Sequence, residues 1–408
     1  MLLKGYDIMV KELSEYRKWA WNCFRDSMCK SVFPWHIKSS KYYQICPSGE
    51  KYKFDAYYAQ GRLDIARAII EDEPIISEKL KQIVFACQLC GACDYVCGRV
   101  KEMKPTEVIQ ALRIKLVKDG IGPMPAQMKF SESVKKTHNV YGESHEKRFM
   151  WMNQDVPTTK ADILFFSGCT PSYRSQETAL AMVKLLQKMG IDFMLLKDEW
   201  CCGSPLLRTG QTDLTAELIK HNVEEIEKSG ATKVLTNCAG CYVTLKVDYP
   251  DFLGFQPNFE VVHIVEYLDQ LRKEGKLTFT KNVDLKVTYH DPCHLGRNSY
   301  SGIVGTGQHG VYDPPRNLLK SIPGIKLIEM ERIKDDAWCC GAGGGVKAAF
   351  KEFSLWTAKE RIDEAKATGA EAIVSACPFC KTNFVEAIKA GEETMKVYDI
   401  IELLEKAI

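Results

Sequence analysis

The chain has 408 residues, a formal net charge of +2, 45% hydrophobic residues and 26% charged residues. These values are typical of a soluble globular protein with two or three domains, and the balanced charge gives no indication of nucleic-acid binding. The apolar runs are strand-sized and charges interrupt the N-terminal segment, so we predict neither a membrane span nor a secretory signal. A cytoplasmic location is expected.

Seventeen cysteines are the feature of the sequence that needs an explanation. An odd number of cysteines in a long chain without an export signal argues against a disulfide framework. Seven of them precede residue 98, and the other ten form two sets in the second half of the chain. Clustered, reduced cysteines are typical of metal-binding sites, and the spacing within each group indicates the kind of site.

The N-terminal part is predicted to be helical around its cysteines. Apolar periodicity indicates helices over Glu12–Trp21, Phe54–Glu71, Ile75–Phe85 and Pro105–Lys118. Turn-forming and charged residues dominate positions 120–160, which we interpret as a linker. The predicted boundaries are 1–120 for the N-terminal domain, 121–160 for the linker, 161–275 for a first C-terminal unit and 276–408 for a second.

The densest motif is the run Cys87-x-x-Cys90-x-x-Cys93-x-x-x-Cys97. This is the spacing of bacterial ferredoxins, in which three cysteines bind one [4Fe–4S] cubane and the fourth binds the neighbouring cluster. Zinc is the alternative, but four-cysteine zinc sites usually consist of two separated Cys-x-x-Cys pairs. We therefore predict a cubane [4Fe–4S] cluster here.

A second, less regular run would complete a two-cluster ferredoxin-like domain. It consists of Cys23, Asp26 and Cys29, followed after a gap by Cys46. In one reading, the ligands of the two cubanes are Cys23, Asp26, Cys29 and Cys97 for one, and Cys46, Cys87, Cys90 and Cys93 for the other. In the other reading Asp26 is a solvated carboxylate, and the first cluster has three irons or is absent. We predict two clusters with Asp26 as a candidate ligand, which would alter the potential of its cluster.

From residue 161 onward, short apolar runs alternate with helical periodicity, which is typical of α/β units with parallel sheets. Strands are predicted at Asp162–Cys169, Ile191–Leu196, Thr232–Thr236, Asp284–His290, Lys326–Glu329 and Ala372–Ser375. Helices are predicted at Ser175–Met189, Asp213–Lys228, Val262–Lys273, Lys347–Ala367, 381–390 and 399–407. The predicted fold is multidomain, α+β and α/β: a helical two-[4Fe–4S] ferredoxin-like domain followed by a duplicated, cysteine-rich α/β domain.

The ten C-terminal cysteines form two sets with one order: a lone cysteine, a Cys-Cys-Gly and a Cys-x-x-Cys. The first set is Cys169, Cys201, Cys202, Cys238 and Cys241, and the second is Cys293, Cys339, Cys340, Cys377 and Cys380. Because both sets follow predicted strands in the same way, we infer that one cluster-binding unit was duplicated. The second set contains an insertion that we place near Gly296–Gly310.

Both sets are expected at the carboxyl ends of parallel strands, where open α/β sheets bind ligands. Five thiolates exceed the four that a cubane or a zinc ion takes, so the residues alone indicate a multi-iron or multi-metal site in each repeat. Gly203 and Gly341 would let the backbone pass close to a cluster. A zinc-bound structural scaffold is the least favoured alternative.

The arrangement of a lone cysteine, Cys-Cys-Gly and Cys-x-x-Cys resembles the cysteine-rich domain of heterodisulfide reductases, and the whole chain resembles the D-type subunit of that family. Segments 116–123 and 290–297 are also similar to it. The resemblance implies that each five-cysteine set binds a noncubane [4Fe–4S] cluster and supplies the catalytic ligands. Two such clusters would face one another and reduce the disulfide between two small thiols, coenzyme M and coenzyme B in methanogens.

The resemblance also implies partners. Electrons would arrive through the two cubanes from a flavoprotein or cytochrome subunit, and docking on a membrane partner is compatible with this. Relatives with the same layout act as electron-transfer subunits of flavin-linked oxidoreductases or aromatic acyl-CoA reductases, so electron relay without a substrate is the alternative function. A histidine- or lysine-lined cavity between the repeats would favour disulfide binding, whereas a cavity plugged by residues 296–310 would favour relay.

Three further features have alternative interpretations. The glycine-rich run Gly341–Gly345 lacks the ending of a phosphate loop, so close approach of the backbone to a cluster is preferred. His290 and His294 flank Cys293 and are either proton donors for disulfide reduction or, as we prefer, hydrogen-bonded structural residues. The two tryptophans before the Cys-Cys-Gly motifs, Trp200 and Trp338, are expected to shield the clusters from water.

Overall fold

The computed structural model describes residues 9–73, 76–152, 160–300 and 310–408. The helices of the N-terminal part are α1 (Arg17–Trp21), α2 (Pro47–Tyr52), α3 (Ala59–Ile70), α4 (Glu78–Phe85), α5 (Ala92–Lys101), α6 (Pro105–Lys118) and α7 (Pro125–Thr137). Helix α6 begins and ends at the predicted residues. Its start could be predicted because a proline is favourable in the first turn of a helix. Ile75, where another helix was predicted to begin, lies outside the described residues.

The first repeat is an α/β unit around parallel strands. Its elements are β1 (Ile163–Phe165), α8 (Cys169–Tyr173), α9 (Gln176–Lys188), α10 (Ser204–Leu207), α11 (Thr212–Ser229), β2 (Lys233–Thr236), α12 (Ala239–Val243), α13 (Tyr249–Leu253), β3 (Glu260–His263) and α14 (Ile264–Lys273). The strand order is β1-β2-β3. Within the predicted strand Ile191–Leu196, only Met194 pairs with the sheet. It forms a parallel bridge to Leu164 of β1.

The second repeat has the same topology. Its elements are β4 (Leu285–His290), α15 (Asp313–Ser321), β5 (Ile325–Leu327), α16 (Val346–Ala349), α17 (Lys351–Ala367), β6 (Ala372–Ser375), α18 (Pro378–Ala390), β7 (Lys396–Asp399) and α19 (Ile400–Ala407). The parallel order is β5-β4-β6-β7, and the Met194 bridge takes the place of β5 in the first repeat. This shared topology supports duplication of one unit.

The last strand of each repeat, which precedes its final helix, was not predicted from the sequence. β3 covers the start of the predicted helix Val262–Lys273, and β7 directly precedes α19. The last residue of each strand, His263 or Asp399, is also the N-cap of the following helix and accepts a hydrogen bond from its backbone. No turn separates strand from helix, so the helical periodicity conceals the strand.

Residues 121–160, which we interpreted as a linker, contain α7. This helix begins at Pro125, buries Gln127 and Val134, and contacts α10 and α16. The turn-forming residues that suggested a linker lie at its ends, around the Gly122–Pro123 pair and Gly142. The segment therefore joins the N-terminal part to both repeats through an ordered helix, while the domain boundaries remain predictions.

The two repeats pack together with approximate twofold symmetry. α9 packs on α19, and the equivalent helix of the second repeat, α15, packs on α14. One hydrophobic core contains strand residues of both sheets, including Phe165, Leu235, Val287 and Ile373. A separate core lies among the N-terminal helices. No described helix has both the length and the apolar character needed to cross a bilayer.

Candidate iron–sulfur centre between the repeats

The two cysteine sets of the repeats line a single cavity of about 390 Å³. Its lining includes Cys169, Cys201, Cys202, Cys238, Cys241, Cys293, Cys340, Cys377 and Cys380. The tenth predicted ligand, Cys339, is buried beside Cys293 and Cys340. All seventeen cysteines of the chain lie in the described ranges and are free of disulfide bonds. Residues far apart in sequence are thus gathered around one space.

Helix N-termini present several of these thiols. Cys169 begins α8 instead of ending a strand, while Cys238 and Cys377 are the N-caps of α12 and α18. Gly168 has φ of +73°, and a Cβ there would lie 2.8 Å from Sγ of Cys241. Only glycine therefore fits beside this sulfur. Backbone N–H groups at a helix start favour the negative charge of a thiolate.

The Cys-Cys-Gly motifs have the same local geometry in both repeats. The backbone N–H of Gly203 donates to Sγ of Cys201 at 3.5 Å, and that of Gly341 donates to Sγ of Cys339 at 3.3 Å. The two glycines have φ of +90° and +91°. This left-handed turn requires glycine and directs an amide at the first sulfur of each pair.

The five thiols of each repeat contact one another in the same order. In the first repeat the order of neighbours is Cys169, Cys201, Cys202, Cys241 and Cys238, and in the second it is Cys293, Cys339, Cys340, Cys380 and Cys377. The two series meet where Cys238 lies next to Cys377. A buried donor set made of soft thiolates and backbone amides fits iron–sulfur clusters.

The N-terminal cysteines lie close together. Cys29 lies near Cys23 and Cys97, Cys46 lies near both Cys87 and Cys29, and these contacts do not separate the two predicted ligand groups. Burial raises the pKa of Cys46 to about 12, so this thiol is neutral at physiological pH unless a metal displaces its proton. The ligand assignment itself stays a prediction.

Asp26 is engaged with a cation. Its carboxylate forms an ion pair with Lys101 and accepts a hydrogen bond from the backbone N–H of Met28 at 3.2 Å. Partial burial acts to raise the pKa of Asp26, but the hydrogen bonds from Lys101 and from the backbone of Met28, together with the charge of Lys101, hold the pKa below its ordinary value. Asp26 therefore lies near Cys29 as an ion-paired carboxylate.

The glycine-rich run Gly341–Gly345 faces the Cys87 loop. A Cβ on Gly343 would lie 2.9 Å from the carbonyl oxygen of Gln88, and one on Gly344 would lie 2.4 Å from that of Cys87. The thiol of Cys90 lies beside Cys339 at the same junction. The glycines thus allow the Cys87 loop to approach the second repeat, and the predicted approach of this run to a cluster stays a prediction.

Two buried arginines near this junction were missed by the sequence analysis. Arg297 donates to the carbonyl oxygen of Cys90 at 3.0 Å and to that of Ala337 at 2.7 Å. Arg113 is fully buried in α6, and burial lowers its pKa to about 10. The signal in the sequence was a charge whose helix neighbours at i−4, i+3 and i+4 are Ile109, Leu116 and Val117, because a charged residue is unusual on an apolar helix face.

A buried ion pair supports the first repeat. Arg148 donates to Oε1 of Glu199 at 2.6 Å, and both side chains are almost completely buried. The Glu199 carboxylate also accepts the backbone N–H groups of Ser167 and Gly168, directly before Cys169. Arg148 lies in the predicted linker and also reaches Sγ of Cys169 at 3.9 Å. The pair therefore holds the loop that carries the first ligand.

We expect Glu199→Ala to lower the free energy of unfolding by about 3–5 kcal/mol, because it leaves the Arg148 charge buried without its partner. Denaturant unfolding of the anaerobic protein measures this. Glu143→Ala is the matched control, since Glu143 pairs with Arg174 at the surface and its loss should change the free energy of unfolding far less. Equal losses in the two variants would contradict the structural role of the buried pair.

The histidines and tryptophans at the two sites have different surroundings. His290 accepts a hydrogen bond at Nδ1 from Nε of Arg361 at 3.2 Å, whereas His294 lines the cavity. Trp200 is half-buried and stacks between two imidazoles, His138 at 3.7 Å and His221 at 3.6 Å. Its counterpart Trp338 is buried and donates to a backbone carbonyl. Both tryptophans directly precede a Cys-Cys-Gly, and their role in shielding clusters from water stays a prediction.

Cationic side chains also line the cavity. Lys347 pairs with Glu386 at 2.7 Å, and Arg174 with Glu143 at 2.9 Å. Among the described residues of the predicted insertion, 296–300 and 310, none lines this cavity. Arg297 and Asn298 contact the Cys87 loop instead. The cavity thus has the histidine and lysine lining that was set as a criterion for disulfide binding, while residues 301–309 of the insertion lie outside the described residues.

Comparisons with known proteins agree with this architecture. The family model of the cysteine-rich domain matches residues 163–246 and 287–385, which are the two repeats. The D-type subunit of the dihydromethanophenazine:CoB–CoM heterodisulfide reductase of Methanosarcina acetivorans is 44% identical over 336 residues, which cover 81% of this chain and 79% of the relative. The chain belongs to the family of heterodisulfide reductase D-type subunits. Family membership makes it an iron–sulfur oxidoreductase subunit, as predicted.

More distant similarities extend the range of relatives. The EtfAB:quinone oxidoreductase of Syntrophomonas wolfei is 33% identical over 80% of this chain and 47% of its own length. A solved structure of a hypothetical protein from Helicobacter pylori covers 98% of this chain and 73% of its own, with a TM-score of 0.58 and 10% sequence identity. The structural similarity concerns the fold alone.

Proposed function

We propose that this chain is the disulfide-reducing subunit of an oxidoreductase complex. The observation that carries the proposal is the single cavity lined by nine of the ten cysteines of the two sets, with Cys238 of the first set in contact with Cys377 of the second. Each set would hold one noncubane [4Fe–4S] cluster, and the seven N-terminal cysteines with Asp26 would hold two cubanes. Iron in the clusters supplies one-electron chemistry and binds sulfur.

The residues of the cavity suit a disulfide with charged arms. The S–S bond breaks, and two electrons and two protons yield two thiols. His294 and the cations Lys347 and Arg174 line the space, and each cation already pairs with a glutamate that an anionic substrate group would replace. CoB–CoM, the disulfide in the name of the Methanosarcina relative, is the first candidate. The electrons come from a flavoprotein or cytochrome partner in the proposed complex.

Electron relay without a substrate is the second candidate, because the chain is also similar to an EtfAB:quinone oxidoreductase. The deciding experiment uses the full chain purified without oxygen. Iron analysis should give about 16 atoms per chain, four clusters of four. Reduced viologen dye should then be oxidised upon addition of the CoB–CoM heterodisulfide or a similar mixed disulfide. Full iron without dye oxidation for any disulfide would leave relay as the function.

Asp26 provides a separate test of the N-terminal clusters. If its carboxylate binds iron, Asp26→Ala should lose about one iron atom per chain and produce the spectrum of a three-iron cluster. Asp64→Ala serves as control, because Asp64 forms a comparable exposed ion pair with Arg25. Unchanged iron content and an unchanged electron paramagnetic resonance (EPR) spectrum in Asp26→Ala would assign Asp26 to its ion pair with Lys101 alone.

A further inference from the structure

The two cysteine sets differ in the residue three positions before their first cysteine. His290 occupies this position in the second repeat, and Phe166 occupies it in the first. Both side chains are buried where the equivalent strands β4 and β1 end. The duplicated unit therefore places a polar ring beside one site and an apolar ring beside the other.

The surroundings of His290 determine which nitrogen carries its proton. Arg361 is fully buried and donates from Nε to Nδ1 of His290 at 3.2 Å. The same guanidinium donates to Oε2 of Glu364 at 2.7 Å, which holds it in place. Because Nδ1 accepts, the neutral imidazole carries its hydrogen on Nε2.

The imidazole of His290 lies against two cysteines of the second set, Cys340 and Cys380. One ring nitrogen and the sulfurs of Cys340 and Cys380 lie within 4.8 Å of one another. Nε2 is buried and has no hydrogen-bond partner among the described residues. Its hydrogen is therefore available to a sulfur ligand, whereas Phe166 offers no donor to the first set.

The N-terminal cysteine loop approaches only the second of the two Cys-Cys-Gly motifs within the described part of the chain. Cys90 lies beside Cys339, and Arg297 joins the two loops. In the first repeat, the N–H of Cys201 donates instead to the carbonyl oxygen of His138 at the end of α7. The second set is thus the one nearer to the predicted cubanes.

We propose that His290, oriented by Arg361 and Glu364, makes the second-repeat cluster the higher-potential member of the pair, and so the one that receives electrons from the N-terminal clusters. Reduction adds negative charge to a cluster, and an N–H donor to its sulfur ligands stabilises that charge. This proposal rests on the cluster assignment within the proposed function, but not on the identity of the substrate. His290 is a positioning residue and not a catalytic one.

A redox titration of the full chain, followed by EPR in the absence of any disulfide, tests this. His290→Phe introduces the residue that the first repeat has at the same place, so the fold should tolerate it. We expect the reduced fraction of the second-repeat cluster at a given potential to fall about tenfold, equivalent to a shift of about 59 mV to lower potential for one electron. The first-repeat signal should not move.

His290→Gln is the conservative variant, because the glutamine amide can donate from nearly the position of Nε2. We expect its titration to lie close to that of the natural chain. Cys339→Ala, which removes a ligand of the second set, identifies which signal belongs to that repeat. An unshifted His290→Phe titration, equal shifts of both signals, or loss of iron from His290→Phe would each overturn the proposal.

Failure of the proposed function gives a different result. If the natural chain bound fewer than about 16 irons or showed only cubane spectra, the noncubane assignment itself would be wrong. If it bound all its iron but reduced no disulfide, the relay function would replace disulfide reduction. In the latter case the shift expected for His290→Phe would still apply.

Discussion

Cys339→Ala is expected to abolish disulfide reduction and to lower the iron content from about 16 to about 12 atoms per chain. Cys339 lies between Cys293 and Cys340 in the series of neighbouring thiols. Its replacement by alanine therefore removes the predicted ligand that connects these two cysteines. It also removes the sulfur beside Cys90, where the N-terminal loop meets this repeat. Iron analysis, EPR and dye oxidation with a mixed disulfide measure the two effects separately.

The control must be a buried residue of another type, since all seventeen cysteines are predicted cluster ligands. Ser375→Ala deletes one heavy atom from the same repeat, and the hydroxyl of Ser375 is buried without a hydrogen-bond partner among the described residues. It should retain all the iron and the activity. Disulfide turnover that survived in Cys339→Ala would exclude the second repeat from the reaction.

Arg113→Leu is expected to destabilise the whole chain by about 4–6 kcal/mol, which approaches the total stability of many domains. The guanidinium donates to four backbone carbonyl oxygens, those of Val84, Cys87, Arg208 and Gly344. These belong to the N-terminal part, the first repeat and the second repeat. One side chain therefore joins all three, and leucine would leave four buried carbonyl groups without this donor.

Thermal unfolding and soluble yield under anaerobic conditions measure the loss. Arg113→Lys should recover only part of the stability, because an ammonium lacks the planar fork of donors. Lys115→Leu on the same helix is the control, since Lys115 forms an exposed pair with Asp119 worth less than about 1 kcal/mol. A midpoint for Arg113→Leu equal to that of Lys115→Leu would show that the three parts hold together without this residue.

The elements that could be predicted from the sequence are those with strong local signals. α6 has a proline at its start and a clear apolar face, and β6 (Ala372–Ser375) is an isolated apolar run, so both were predicted to the residue. β3 and β7 have no turn before the next helix and were missed. The strand predicted at Ile191–Leu196 is a single bridge at Met194 in the structure. Strand pairing depends on the neighbouring strand, which the local sequence does not contain.

The residues of the candidate site likewise include some that the sequence predicted and some that it did not. Its thiols could be identified because a cysteine motif states both the residue type and the spacing that a cluster needs. The buried partners could not, because Arg148 pairs with Glu199 across 51 positions and Arg361 contacts His290 across 71 positions. Nothing in the local sequence distinguishes Arg148, Glu199 and Arg361 from exposed charges.

By itself, the sequence determined the inventory of thiols, the duplication of the α/β unit and the family, because soft-metal ligation and repeated motifs depend on residue type and order. Only the tertiary structure decided that the two sets share one cavity and that Cys90 adjoins the second set. It also decided that His290 lies against Cys340 and Cys380 while its Nδ1 accepts a hydrogen bond from Arg361. Each of these is a contact between distant segments, and such contacts arise when cores pack and buried polar groups find partners.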